Sequence, residues 1–286
     1  MSSFRSTVGS LAAALVGGRE RLMRLRFFGD SVWEFARLPR DARRRILALD
    51  PSRYDVGLSN ETTREAWIRK SLSQLPSGAR LLDAGAGECA YKKYCGHLRY
   101  VSQDLAKYDG TGEVGLQMGS WDTSKIDIVS DIADIPVQEA SFDAILCSEV
   151  LEHVSDPVPA IDELARVLKP GGTLILTAPF CSMTHFAPYH YATGFNRYFY
   201  ESHLQRNGFD IVEVVENGNF FEFVALQLRQ VDVFAQRYAD DDCSRMERMA
   251  AQIVLGMLAR MSAKDKGSRE LLNFGIFVRA IKRPAT

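Results

Sequence analysis

Leu81-Leu82-Asp83-Ala84-Gly85-Ala86-Gly87-Glu88 is the stretch on which the fold turns. A short apolar run, the mark of a buried strand, ends in a turn with two glycines two positions apart. Glycine lets a backbone come close to a ligand, and the free N–H groups that follow such a turn suit an anion. Gly85-x-Gly87-x-x-Ala90 also satisfies the G-x-G-x-x-G/A pattern of dinucleotide sites. Asp104 closes the next strand, Tyr100-Val101-Ser102-Gln103, 19 residues past Gly85, where a carboxylate can accept both hydroxyls of a ribose. At this level NAD, another nucleoside cofactor and a ligand-free tight turn all remain open.

Working outward, strand patterns recur at 80–84, 100–103, 126–130, 142–148, 173–178, 210–215 and, closing the chain, 273–281. Helical patterns occupy 64–74, 158–168 and 200–207, and the glycine- and serine-rich stretch 107–123 reads as a loop. Strands alternating with helices predict parallel βαβ units in a doubly wound, Rossmann-like α/β fold. The expected division is an N-terminal helical arm or cap over 1–75 and a catalytic domain over 76–286. Residues 219–263, with Phe220, Phe221, Phe223, Val224 and Leu226, read as a helical insertion before the last strand.

Composition narrows the partners. The chain of 286 residues has 46% apolar and 25% charged side chains, ordinary for a globular protein. Its longest apolar run near the start, Leu11–Val16, falls far short of the about 20 residues that span a bilayer. A net charge of −1 offers no general attraction for nucleic acid. Residues 1–50 are the basic exception, with ten arginines against five acids, and make the arm a candidate for contact with anionic lipid. The arm and the insertion are candidates for a cap over the ligand pocket, a homodimer surface or a lipid contact. Five cysteines without a C-x-x-C pair read as free thiols in a reducing compartment, so the expected location is cytoplasmic. They do not predict a zinc site.

Three further segments follow in order: Ser130-Asp131-Ile132-Ala133-Asp134-Ile135-Pro136, then Ser141–Val154 containing Cys147-Ser148-Glu149-Val150-Leu151-Glu152-His153, then Val167-Leu168-Lys169-Pro170-Gly171-Gly172. With the glycine turn and Asp104, the chain over 79–179 resembles the class I S-adenosylmethionine (SAM)-dependent methyltransferases, in particular their small-molecule branch. The resemblance implies a mostly parallel seven-stranded sheet whose last strand is antiparallel, and SAM as cofactor. It places Asp83, Ala84, Gly85 and Gly87 at the methionine end, Asp104 at the ribose, and Asp131 and Ile132 at the adenine. Cys147 and Ser148 would line the cofactor near the sulfonium. Asp83 is unlike the Val or Ile usual there in NAD enzymes, and Cys89 stands where the family often has a third glycine.

Methyl transfer needs an aligned acceptor, exclusion of water and, for a hydroxyl, a base. His153, just past the fourth strand, is a candidate base, and so are His185 and His190 in the loop after the fifth strand. That loop, Thr184-His185-Phe186-Ala187-Pro188-Tyr189-His190-Tyr191, continues to Phe195-Asn196-Arg197-Tyr198. Tyr189, Tyr191, Asn196 and Arg197 are expected to line the substrate, an aromatic hydroxyl compound, sugar or glycolipid precursor. Glu149, Glu152 and His153 form an E-x-x-E-H set similar to the metal-binding set of ubiquinone-pathway O-methyltransferases, although no metal is required by the pattern. The reading is thus a methyltransferase acting on oxygen, or less readily nitrogen, of a small molecule or glycan precursor. An NAD-dependent oxidoreductase and a non-catalytic SAM-binding protein are the alternatives. Nucleic acid is disfavoured as substrate because the fourth strand ends in Cys147-Ser148-Glu149-Val150 rather than an Asn/Asp-Pro-Pro-aromatic turn.

Overall fold

The computed structural model describes Pro39 and residues 54–112 and 114–284. The rest of the basic arm, with its expected lipid and dimer contacts, lies outside the described residues. Among the described residues, 54–242 and 255–284 group into one compact unit. The larger unit holds seven strands: β1 (Arg80–Ala84), β2 (Arg99–Asp104), β3 (Ile128–Val129), β4 (Phe142–Ser148), β5 (Leu168–Pro179), β6 (Phe209–Asn217) and β7 (Gly275–Lys282). The helices are α1 (Asn60–Ser73), α2 (Pro157–Val167), α3 (Arg197–Arg206), α4 (Phe220–Tyr238) and α5 (Arg245–Ser262), whose last turns fall in this unit.

The strands form one sheet in the order β3-β2-β1-β4-β5-β7-β6. β1 pairs in parallel with both β2 and β4, and β7 runs antiparallel between β5 and β6. The doubly wound sheet with an antiparallel last strand is therefore as expected. The chain winds outward from β1 to β3 and then returns to β4 on the other side of β1, so the topological switch lies between β1 and β4. Ligands in open α/β sheets bind outside the carboxyl ends at such a point.

Alternation along the strands builds two apolar layers. Leu82, Ile145, Leu174, Leu176 and Val278 face one side, where Ile161 and Leu164 of α2 and Tyr200 and Leu204 of α3 cover them. Leu81, Ala144, Leu146, Ile175 and Phe277 face the other, covered by Trp67, Ile68 and Leu72 of α1. Part of the expected N-terminal arm is thus integral to the sheet domain, because α1 has to bury this apolar stripe. Helix α2 starts where Asp156 accepts the Val158 N–H and Pro157 opens the first turn. Lys169–Gly172 bulges out of β5, as Phe142 pairs with Leu168 but Ala144 with Thr173.

Two features depart from a regular βαβ alternation. The connection after β1 carries only a 3₁₀ turn at Lys92–Tyr94, and the segment from β2 to β3 has no helix among its described residues. The insertion consists of α4 and α5; Ala225 of α4 packs with Val56, Leu255 and Leu258. Gly57 allows this approach, since a Cβ there would lie 2.5 Å from the Leu226 backbone nitrogen.

Candidate active site

The carboxyl ends of β1 and β4 open into a cavity of about 660 Å³. Its floor is the glycine turn, where Gly85 and Gly87 both have positive φ. The Gly85 N–H donates to the Gln103 carbonyl at 2.8 Å, and its α-carbon is capped by Val150, which a Cβ would strike at 2.4 Å. Cys89 takes the left-handed conformation itself (φ 59°), so the backbone keeps a glycine-like shape where the third glycine is missing.

Asp83 is buried beneath this turn and accepts the Tyr100 hydroxyl at 2.6 Å. Burial pushes its carboxyl up to about 7, against the lowering effect of that hydrogen bond. At the tip of β4, Glu149 adopts φ 55° and is pinned from two sides. Thr177 Oγ1 donates to its Oε1 at 2.9 Å, and Arg64 Nη1 of α1 donates to its Oε2 at 2.8 Å. Burial opposes the charge on Arg64, but Glu149 outweighs it together with Tyr91 and holds the guanidinium above its ordinary value.

Beyond Glu149 a 3₁₀ turn, Leu151–His153, presents two side chains to the cavity. Glu152 is fully buried, neither carboxylate oxygen has a hydrogen-bond partner, and burial followed by repulsion from Glu149 raises its pKa well above the usual range. His153 lies with Nε2 3.7 Å from Glu152 Oε1. Its Nδ1 is 2.6 Å from the Tyr189 carbonyl, an acceptor only, so Nδ1 carries the proton and Nε2 the lone pair. Burial pushes the His153 pKa down to about 4, which keeps the ring neutral near pH 7. His185 repeats the pattern, with Nδ1 2.8 Å from the Met183 carbonyl.

One carboxylate oxygen of Glu152 and one ring nitrogen each of His153 and His185 lie within 4.8 Å of one another. Two histidines whose Nδ1–H groups are held by carbonyls, beside a carboxylate with no partner, fit a divalent ion in donor type and in orientation. Glu149 of the E-x-x-E-H set is outside this group, because Arg64 and Thr177 engage it.

The remaining expected residues divide. Asp83, Gly85, Gly87, Ser148, His153 and His185 line the cavity. Ala84 and Cys147 are wholly buried and are not on its wall. Asp104, Asp131 and Ile132 are also absent from its wall. Asp104 is engaged by backbone, accepting from Gly87 N at 2.9 Å and Ala106 N at 2.7 Å. Asp131 accepts from Ala133 N.

His190 stands behind His185, ring centres 4.7 Å apart, with Nε2 3.1 Å from the Ser182 hydroxyl. Tyr189 acts through its carbonyl, and Tyr191 is exposed. Asn196 and Arg197, expected to line the substrate, are not on the wall of this cavity. Asn196 caps α3 by accepting the Tyr198 and Phe199 N–H groups. Arg197 pairs with Glu201 and Glu216 in a separate shallow groove.

Sequence reasoning missed Arg64 and Asn60 from α1, Tyr91, and Trp121 of the long loop, while Phe223, Leu226, Gln227 and Gln230 of α4 belong to the segment offered as a cap over the pocket. Trp121 had a signal, a lone indole in a polar loop. Arg64 had none, since nothing local marks which arginine of a helix points inward. The cavity wall carries Glu61, Asp83, Glu88, Glu149 and Glu152 against Arg64 and two histidines, and burial of Asp83 and Glu152 withholds part of that negative charge.

A sheet of this order, with an antiparallel last strand and a glycine turn opening on a cavity at the switch point, is a Rossmann-like doubly wound fold. Residues 82–176 match the protein family described as "Methyltransferase domain", and the chain carries a class I SAM-dependent methyltransferase domain. It is 32% identical over 143 residues to "Ubiquinone biosynthesis O-methyltransferase" of Xylella fastidiosa (strain M23), covering 49% of this chain and 52% of that protein. It is 34% identical over 102 residues to "Demethylmenaquinone methyltransferase" of Clavibacter sepedonicus, covering 35% and 41% of the two chains. The chain therefore spans about half the length of the curated relatives it matches or less. Among solved structures, a SAM-dependent methyltransferase from Archaeoglobus fulgidus has a TM-score of 0.48 at 14% identity, covering 77% of this chain and 94% of that one.

Proposed function

We propose that the protein transfers a methyl group from SAM to a hydroxyl oxygen of a small, largely apolar molecule. The observation that carries this reading is a single cavity shared by the glycine turn and by the unprotonated Nε2 of His153. The name of the Xylella fastidiosa relative supports oxygen as the acceptor atom.

Bound at the turn, SAM would supply an electrophilic methyl group on a sulfonium. Asp83 would balance its positive charge, and Arg64, whose Nε has no partner, would face its carboxylate. Phe186, Phe223, Leu226 and Phe274 would pack the acceptor and exclude water, while Gln227 and Gln230 offer polar contacts. His153 Nε2 would take the proton that the acceptor hydroxyl loses as oxygen gains the methyl.

The test is calorimetry with S-adenosylhomocysteine, followed by mass spectrometry of a phenol and catechol panel incubated with SAM. His153→Ala should lower kcat by about 10²-fold while S-adenosylhomocysteine affinity stays nearly constant. Absence of binding, or methyl found only on nitrogen, would overturn the reading.

The orphaned carboxylate of Glu152 favours one addition. Glu152, His153 and His185 would hold a divalent ion through the same Nε2 lone pair, and the ion would then lower the pKa of a nearby hydroxyl in place of His153 acting as base. Dialysis against a chelator should then reduce activity, with recovery on adding back Zn²⁺, Mn²⁺ or Mg²⁺. Full activity after verified metal removal would end this addition and leave His153 as base.

A further inference from the structure

At the nucleoside end of the expected cofactor site, one side chain lies directly over the glycine turn. The edge of the Trp121 indole rests on Gly87 so closely that a Cβ there would lie 2.5 Å from Cζ2 and 3.1 Å from Cε2. That face of Gly87 is the one a ligand has to approach. Beneath the indole, the Gly87 N–H is bound to Asp104 Oδ2, and the second oxygen of Asp104 is held by the Ala106 N–H. Asp104, Asp131 and Ile132, the residues assigned to ribose and adenine, are not on the cavity wall, although Asp131 is exposed, whereas Asp83, Gly85 and Ser148 at the methionine end are on it.

The indole is held from above and from the side. Phe186, in the loop after β5, meets it edge to face at 5.1 Å and stacks on Tyr108 at 4.4 Å. Leu116 N donates to the Thr184 carbonyl and Phe186 N to the Leu116 carbonyl, so the loops after β2 and β5 are joined. The Asp122 N–H donates to Glu88 Oε1 at 3.1 Å and ties the neighbouring backbone to the glycine turn. Two residues before Trp121, Gly119 sits at φ +84°, with its N–H donating to the Gly110 carbonyl at 2.8 Å and the Ser120 backbone packed on Gly110.

We propose that Trp121 is the gate of the nucleoside half of the site: its indole must leave Gly87 before a ribose can reach Asp104. This rests on the reading of the cavity as a SAM site. Binding is then limited by the fraction of molecules with the indole displaced, and the apparent affinity is reduced by that fraction. The departing indole, half-buried against Tyr108 and Phe186, gains exposure to water, which moves its emission to longer wavelength.

The probe is S-adenosylhomocysteine on the full chain, followed by tryptophan emission and by calorimetry. The wild-type emission should shift to the red on binding. Trp121→Phe should bind in calorimetry yet lose that shift, although Trp33 and Trp67 remain. Trp121→Ala should bind more tightly, by about tenfold if the open form is about a tenth of the population. Binding to wild type with unchanged emission would overturn the gate, as would weaker binding by a folded Trp121→Ala, which would make the indole part of the bound site. If Trp121→Ala does not fold, the comparison of wild type with Trp121→Phe decides alone. Calorimetry that detects no binding to wild type removes the cofactor reading itself, and the gate with it.

Discussion

Asp83 shows how much one buried side chain contributes to this site. Its carboxyl, pushed up to about 7 by burial, is divided between protonated and charged forms near neutrality. A cation bound beside it favours the charged form, so binding must expel a proton from the molecules that hold one. Affinity for SAM is therefore expected to rise between pH 6 and pH 8, and calorimetry in buffers of different ionisation enthalpy should register proton release near pH 7. Asp83→Asn should weaken binding and flatten this dependence; a dependence unchanged in that variant would assign the proton elsewhere. The presence of Asp83, Gly85 and Gly87 in the site was legible in the sequence, because each is required by a turn whose residues are neighbours in the chain. The burial that sets the titration of Asp83 was not, since it arises from Tyr100 and the packed strands around it.

At the scale of elements, the loop and helix after β5 separate residues that their spacing in the chain had grouped. His185 lies on the cavity, while Asn196 and Arg197, eleven and twelve residues later, belong to the start of α3. Asn196 satisfies two N–H groups of the first helical turn that have no partner within the helix. Asn196→Ala should cost about 1 kcal/mol of stability by chemical denaturation with kcat nearly unchanged. A large loss of kcat with normal stability would return Asn196 to the substrate site. Arg197 and Glu201 are an exposed i,i+4 pair, for which removal should cost at most about 0.5 kcal/mol. Polar and aromatic composition after a strand marked the neighbourhood of a site, but helix geometry decided which of its members face inward.

At the scale of the whole molecule, α1 joins stability to binding. Trp67 packs against Phe277 of β7 with ring centres 5.2 Å apart, and one turn earlier the same helix sends Arg64 to Glu149. Trp67→Ala should cost about 3–5 kcal/mol in a denaturation experiment and also weaken S-adenosylhomocysteine binding, with Trp67→Phe restoring most of both. Loss of stability without any loss of affinity would uncouple the helix from the cavity.

Strand positions, the sheet's class, the glycine turn and the acidic tip residues were determined by the sequence alone, since period-two apolar patterns and turn chemistry act between near neighbours. Tertiary structure alone decided that Arg64 and Glu149 pair across 85 positions, that His185 meets Glu152 and His153, and that Trp121 covers Gly87. Those contacts depend on how separate elements stack and how loops close over the sheet, and no local periodicity encodes a distance between groups so far apart along the chain.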